Sequence, residues 1–599
     1  MRCKKCGKEL KEDARFCGYC GAPVQPEKQK KATGKKKMLV MGCAVFAVLI
    51  LGIFAGKVFL DNSSGSSIPG IKKVSEDENC IAYPDGDVVY QPQGENVDWD
   101  EKEKVLYYNN LISVYLMEKL SEKEENQIAE QIDGEVVTRI HGAVQFIQIK
   151  IKPATYAEIN QYIDKLNENE KVMDALYDAP NFVKTDELDE NPWSSDGKMI
   201  DGRNTMPPAG NDWWAEAVDA YDVWKYVDKN KDDLSKITVG ILDNGFDVNH
   251  EDLVNAEGSE KITALEGYET NSAENHGTHV MGLIGANNNK IGIRGIADLA
   301  DIKYADWSPD TDDVEFDVSL LGTGEYIHII QKIIQNECVI NNSFGYSSYF
   351  LSESKYMMEQ LQEVFKNLKI WNGNTTWKYQ KTYRDYKESY IVECKQQAEV
   401  CMDMVLNAYL MGYDKYLIVQ SAGNGNSLNE PCDATMNGFF SSISKSFFDT
   451  VMLSKSKIFK EKYTYEKLKE HILIVGAVEN QDKDGKYKLA SYSNYGDNVD
   501  ICAPGGGTTA GSQVYSTVVP EKNQNVAYGE IAGTSMAAPI VSGSAAVLWQ
   551  IEPDLTAAEV KKMLTETAGQ AYPTAKDDTR ESYQMLNAGA AVKKLVAEK

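Results

Sequence analysis

Positive charge is what this chain lacks most. Its 599 residues hold 63 Lys and Arg against 90 Asp and Glu, a formal net charge of −27 at pH 7. The deficit is uneven: residues 1–37 carry twelve Lys/Arg and four Asp/Glu, +8, which leaves −35 for residues 38–599. So negative a body repels phosphate, which excludes nucleic acid as its partner, and it fits a soluble body held away from anionic surfaces. Histidine is scarce, with six in the chain, so two of them close together carry information. Cysteine offers no disulfide framework beyond residue 60. The six found there (Cys80, Cys338, Cys394, Cys401, Cys432 and Cys502) have spacings that match no pattern. Cys338 and Cys502 stand in apolar strand contexts and read as small core residues. One uncharged, mostly aliphatic run of membrane length stands near the N-terminus.

That run is Met38–Gly56, nineteen residues without a charge, which as a helix spans about 28 Å and crosses a hydrocarbon core. We expect a transmembrane helix over 38–60, preceded by a basic juxtamembrane segment over 25–37. The Lys-rich stretch Lys28–Lys37 puts the N-terminus in the cytosol and the bulk of the chain outside. A cleaved signal peptide is the competing reading; the length of the run and the motif upstream of it favour an uncleaved anchor. That motif is Cys3-Lys4-Lys5-Cys6 with Cys17-Gly18-Tyr19-Cys20. Two Cys-x-x-Cys pairs can close a tetrahedral Zn²⁺ site, so residues 1–24 read as a zinc ribbon, with two disulfides as the alternative. A knuckle this small depends on its metal for stability, and a cytosolic position keeps its thiols reduced.

A chain of this length holds more than one domain. Asn62–Ser67 is a flexible linker by composition, and the acidic, turn-rich residues after it extend the linker to 61–103. Over 104–180 the pattern changes to a strand at Leu111–Leu116, a helix at Glu122–Ile132, strand material from Val136 to Ile151 broken at His141-Gly142, a helix at Thr155–Leu166 and a strand at Val172–Tyr177. That order is ferredoxin-like. Residues 181–210, acidic and rich in turn formers, read as a second linker.

Chemistry concentrates further on. Gly533-Thr534-Ser535-Met536-Ala537-Ala538-Pro539 sets a serine at the start of an apolar helical run. Small neighbours admit a substrate backbone there, and a helix N-terminus favours negative charge on the attacking oxygen. Ile237–Leu242 is a buried strand that delivers Asp243 to its C-terminal end, followed by Asn244-Gly245. Asn275-His276-Gly277-Thr278-His279 holds two of the six histidines. Singly, each has an ordinary reading as a turn or cap. Together they run in the order Asp, His, Ser.

In these residues the chain resembles the subtilases, the subtilisin-like serine proteases, from about Trp213 to Val592. Val339–Gly345, Ser421-Ala422-Gly423-Asn424, Ala503-Pro504-Gly505 and Leu586-Asn587-Ala588 also match the family pattern. The resemblance implies an α/β fold with a doubly wound, mostly parallel sheet over 211–599, with insertions near 346–416 and 427–469. It implies a serine endopeptidase acting on peptide or protein substrates, with Ser535 as nucleophile, His276 as base, Asp243 orienting the imidazole and Asn424 in the oxyanion hole. Gly322, Thr323 and Gly324 on one side, and Ser343, Phe344 and Gly345 on the other, would clamp an extended peptide as an added strand. Asp252 and Asn289 match side-chain ligands of a Ca²⁺ site. Residues 104–180 are similar to the family's propeptide domain, an intramolecular inhibitor and chaperone, with autocleavage between Pro180 and Ala209; a permanent accessory domain is the alternative. His279 is expected to pack beneath the site, His250 to sit in a surface loop, and Met536 to make the protein peroxide-sensitive. Thr556 to Glu559 reads as a capping box opening a late helix. Asn244 departs from the family's usual Ser or Thr. With the insertions, it supports a second reading, a catalytically silent binding module in a subtilase shell.

Overall fold

Two capping boxes start the helices of the first sheet: Ser121 with Glu124, and Thr155 with Glu158. The computed structural model describes residue 79 onward, apart from residues 94–95, 101, 186–211, 256–258, 270–274, 290, 308–318, 337–338, 347–382, 426–429, 456–462, 510 and 520–526. The expected zinc ribbon (Cys3, Cys6, Cys17, Cys20), basic segment and membrane helix lie outside the described residues. Among the described residues no helix is long and apolar enough to cross a membrane.

The first sheet is built from β1 (Cys80–Ala82), β2 (Val88–Tyr90), β5 (Leu111–Leu116), β6 (Glu135–His141), β7 (Gln145–Lys150) and β8 (Val172–Tyr177), with a separate hairpin of β3 (Val97–Asp100) and β4 (Val105–Tyr108). Helices α1 (Glu122–Glu130) and α2 (Tyr156–Asn167) follow β5 and β7. The sheet order is β1-β2-β6-β7-β5-β8, antiparallel throughout. Its last four strands with the two helices are the expected ferredoxin-like arrangement. The expected linker over 61–103 is corrected between Cys80 and Asp100, which form strands. The reason is strand pairing that composition does not reveal: Cys80 lies opposite Tyr90 and Val88 opposite Arg139, the Tyr90 N–H also bonds the Thr138 side chain at 2.9 Å, and Val89 and Tyr90 are buried.

The second sheet has ten strands. They are β10 (Thr238–Asp243), β11 (Ile262–Ala264), β12 (Asp301–Asp306), β14 (Val339–Asn342), β16 (Leu417–Ser421), β17 (Ile472–Val478), β18 (Tyr487–Lys488), β19 (Ile501–Pro504), β22 (Gly569–Tyr572) and β23 (Tyr583–Met585). The order is β11-β12-β10-β14-β16-β17-β19-β23-β22-β18, parallel except between β22 and β23. Seven further strands lie outside these two sheets: the β3–β4 hairpin, β9 (Asn181–Thr185) between β13 (Ser319–Leu321) and β15 (Phe344–Tyr346), and the pair β20 (Val514–Thr517) and β21 (Tyr528–Ile531). The helices that matter here are α3 (Asn275–Gly285), α4 (Thr323–Ile334), α5 (Tyr383–Leu410) and α6 (Thr534–Ile551). Every residue of α6 is buried, as in a helix enclosed by core, and it packs on β14, β16, β17 and β19. The expected capping box of Thr556 with Glu559 is present.

Strand alternation joins the two sheets into one body. Val114, Ile147 and Ala175 face α1 and α2, whereas Tyr115, Phe146 and Leu176 enter the core of the larger sheet. That second face rests on α4 and α5. Tyr115 donates to the Val400 carbonyl at 2.8 Å, and Asn407 takes the Gln145 N–H at 2.8 Å while donating to the Leu116 carbonyl at 2.7 Å. Helix α5 belongs to the first insertion, whose position the sequence left open; it is a platform for the ferredoxin-like unit.

Candidate active site

Strand β10 ends on Asp243 at the carboxyl edge of a parallel sheet, where such folds gather their reactive groups. The carboxyl is fully buried, and burial pushes it above its ordinary range, an effect that His276 opposes. His276 Nδ1 lies 2.5 Å from Asp243 Oδ1, and the Asn244 N–H bonds the same oxygen at 2.8 Å. With Asp243 ionised, Nδ1 carries the proton and Nε2 presents the lone pair that a base needs. His276 is the second residue of α3, and Gly277 after it is required by space. A Cβ there would fall 2.5 Å from the Gly245 carbonyl oxygen and 2.7 Å from that of Asn244, forcing the helix away from the acid. One residue escaped the sequence reading. Asp306 ends β12 directly opposite Asp243, accepts the Gly245 N–H at 3.1 Å, and its like charge also raises Asp243. The available signal was a second parallel strand ending on an acid.

Ser535 is the second residue of α6, among the first four N–H groups that a helix leaves without internal partners. Pro539 sits four residues on and has no N–H to give the Ser535 carbonyl. Ser343 supplies the donor instead, its Oγ bonding that carbonyl at 2.9 Å, while Ser535 Oγ donates to the Ser343 carbonyl at 2.8 Å. This reciprocal pair ties Ser535 to the edge of β15. Asn424 lies alongside. Its Oδ1 is pinned by the Thr534 N–H and hydroxyl, both at 2.9 Å, and its buried Nδ2 makes no hydrogen bond. A donor so placed at a helix N-terminus is positioned for a developing oxyanion.

His279 packs beneath the site as expected. Its Nε2 meets the Val514 carbonyl at 2.9 Å, and burial pushes its pKa down to about 3, so it stays neutral. His250 is corrected: it is buried, with Nε2 2.5 Å from the Ala527 carbonyl and its ring edge-on to Tyr528, because the β20–β21 hairpin covers its loop. Met536 is also fully buried, so peroxide would have to enter packed core.

Beside Ser535 the chain lies on itself. Strand β9 is the middle strand of an antiparallel trio, with Leu321 opposite Asn181, Ser319 opposite Val183, Tyr346 opposite Val183, Gly345 opposite Lys184 and Phe344 opposite Thr185. The expected linker over 181–210 therefore begins as a strand, and β9 runs toward Ser343 and Ser535. Phe344 and Gly345 pair with β9. Gly322, Thr323 and Gly324 do not: the pairing strand is Ser319–Leu321, just upstream. Gly322 instead caps α4, and the Thr323 hydroxyl donates to Asp178 at 3.0 Å and accepts from Asn181 at 3.2 Å.

Asp252 is fully buried. Its Oδ2 accepts the Ile293 N–H and its carbonyl the Asn287 N–H, both at 2.9 Å, while Oδ1 makes no hydrogen bond. Asn289 stands on the same loop, its Nδ2 on the Glu251 carbonyl at 3.3 Å and its Oδ1 accepting the Ile291 N–H at 3.1 Å. An orphaned carboxylate oxygen among loop carbonyls fits a hard cation. Lys261 reaches the rim, donating to Gly285 O at 2.7 Å and Asn287 Oδ1 at 2.8 Å. Two other acidic clusters, Asp85 with Asp87 and His328, and Asp174 with Glu399 and Asp403, each hold a lysine ammonium, Lys332 and Lys455, and read as ion-pair networks.

The chain is 26% identical over 338 residues to subtilisin E of Bacillus subtilis (strain 168), covering 56% of this chain and 61% of that protein. It is 27% identical over 341 residues to subtilisin DY of Bacillus licheniformis, covering 56% and 84%. The chain thus spans 61% of the length of the first curated relatives it matches. Among solved structures, fervidolysin from Fervidobacterium pennivorans, described as a keratinolytic enzyme related to subtilisin, aligns with a TM-score of 0.48 at 20% identity, over 83% of this chain and 62% of that one. The epidermin leader peptide processing serine protease of Staphylococcus aureus aligns with a TM-score of 0.43 at 18% identity, over 82% and 99%. A zinc-ribbon domain model matches residues 2–24. The subtilase family model matches residues 235–589, more than half of the sequence and inclusive of Asp243, His276 and Ser535, and the chain belongs to the subtilase family.

Proposed function

We propose that this chain is a serine endopeptidase that binds peptides in extended form and is held in check by its own residues 104–185. The observation that carries this reading is β9, seated as the central strand of the cleft and running toward Ser535. Main-chain pairing of that kind is how a protease recognises a segment irrespective of most of its sequence.

In the reaction the Ser535 hydroxyl leaves the Ser343 carbonyl and gives its proton to His276 Nε2 as Oγ attacks the substrate carbonyl. Asp243 stabilises the imidazolium. Asn424 Nδ2 and the Ser535 N–H take the oxyanion. The proton then passes to the leaving amine, and water, deprotonated by His276, releases the acyl group from Ser535. A fluorophosphonate probe tests this directly. Processed protein is expected to label at Ser535, with loss of labelling in Ser535→Ala and strong reduction in His276→Ala. Processed wild-type protein that takes up no probe contradicts it and favours a silent binding module.

Asp252 and Asn289 are the residues that would hold a calcium ion, whose charge would neutralise the buried carboxylate. EDTA is expected to lower the melting temperature by several degrees and Ca²⁺ to restore it, with Asp252→Asn insensitive to both. An unchanged melting temperature removes calcium from the account. Zn²⁺ held by Cys3, Cys6, Cys17 and Cys20 belongs to the same proposal as a structural ion. So does a single membrane helix over 38–60, with the N-terminus cytosolic and the peptidase outside; the support is the uncharged run and its Lys-rich flank.

A further inference from the structure

Gly345 and Gly423 face each other across a gap beside Ser343, and a side chain fills it. A Cβ on Gly345 would fall 2.1 Å from Asn437 Oδ1, and a Cβ on Gly423 would fall 2.5 Å from the same atom. The Asn437 amide therefore lies between two glycines. It is 5% exposed, and Nδ2 donates to the Ser421 carbonyl at 3.0 Å.

Asn437 comes from the second insertion, and several contacts fix it there. Asp433 caps the short turn Ala434–Asn437 by accepting the Thr435 N–H at 2.9 Å. Tyr390 of α5 donates to the Met436 carbonyl at 2.6 Å. Immediately after Asn437 the chain turns through Gly438 (φ 75°) and Phe439 (φ 47°). A phenylalanine in the left-handed region is strained, and such strain persists only where packing over-determines it. Here the Phe439 ring is buried edge-on against Tyr326 and Phe344.

The register of β9 says which substrate residue meets this amide. Cross-strand partners in an antiparallel pair place their side chains on one face. Thr185 lies opposite Phe344 and Lys184 opposite Gly345. A peptide residue one step further on lies opposite Ser343, on the face of Gly345, which is the face of Asn437. Ser343 in turn accepts the Ser535 hydroxyl on its carbonyl, which sets that peptide residue beside Ser535. We propose that Asn437 sets the size limit at the residue whose carbonyl is attacked: Gly, Ala or Ser fits above the amide, whereas branched or aromatic side chains collide with it. This inference rests on the peptidase reading.

The test compares kcat/KM for peptides that differ only at that residue, Ala against Leu, in the processed protein and in two variants. Asn437→Gly opens the gap and is expected to raise the Leu-to-Ala ratio about tenfold or more, the scale of a few methylenes in a pocket. Asn437→Gln adds a methylene and is expected to lower the ratio. A purely structural role would reduce turnover of both peptides and leave the ratio fixed. Ratios unchanged in both variants, or shifted in the same direction, overturn the proposal. Fluorophosphonate labelling of Ser535 separates the two levels: labelling with unmoved ratios sinks this inference alone, and no labelling sinks the peptidase reading with it.

Discussion

Ser535→Ala is expected to lower kcat/KM by about 10⁴- to 10⁶-fold while leaving the melting temperature within a few degrees of wild type. The upper figure is subtilisin's own, carried over by family membership. The physical reason lies in the geometry at the start of α6. Without Oγ no acyl-enzyme forms, and the remaining donors can only polarise a carbonyl toward water. Stability should barely move, because the Ser343 hydroxyl still bonds the residue 535 carbonyl that Pro539 leaves without a helical donor. The variant loses one hydrogen bond, from Oγ to the Ser343 carbonyl, a net effect of about 1 kcal/mol. A large drop in melting temperature would mean that the reciprocal pair is structural rather than poised for chemistry.

Asn424→Ala carries the second largest effect. Its Nδ2 is buried without a partner, so deleting it removes nothing that holds the ground state together on that side. The oxyanion, in contrast, loses a charge-assisted donor. The expected result is a fall in kcat of about 10²- to 10³-fold with KM within about twofold, again the magnitude of the corresponding subtilisin variant. A change confined to KM would place Asn424 in substrate binding instead. Its Oδ1 also holds the Thr534 N–H and hydroxyl, so Asn424→Asp is the informative companion: it keeps that acceptor and loses the Nδ2 donor.

The candidate site was legible because each part sits in a local motif. Gly-Thr-Ser at a helix start, an acid at a strand end and His-Gly at another helix start can be read without knowing the fold. The same holds for the ferredoxin-like unit, whose helices begin at Ser121-x-x-Glu124 and Thr155-x-x-Glu158. What could not be read depends on partners far along the chain. Asn181–Thr185 looks like a linker because its pairing strands are Ser319–Leu321 and Phe344–Tyr346. Cys80–Ala82 and Val88–Tyr90 are three residues each, too short for alternation to show. Gly322–Gly324 has the composition of a cleft strand, yet its backbone is committed to α4. Asn437 is invisible for a related reason, since its role depends on two glycines brought to it by β15 and by the loop after β16.

These non-local contacts also support the proposal that one chain carries a protease and its restraint. Tyr115, Asn407, Asp178 and Thr323 join the ferredoxin-like unit to α4 and α5, and β9 extends from that unit into the cleft. The strand stops its pairing at Thr185, one residue short of Ser343. Sequencing the N-terminus of purified full-length protein, wild type beside Ser535→Ala, therefore tests the central claim most directly. The account predicts a new N-terminus between residues 186 and 210 in the wild type and an uncut variant. A variant cut at the same bond in isolation would contradict it.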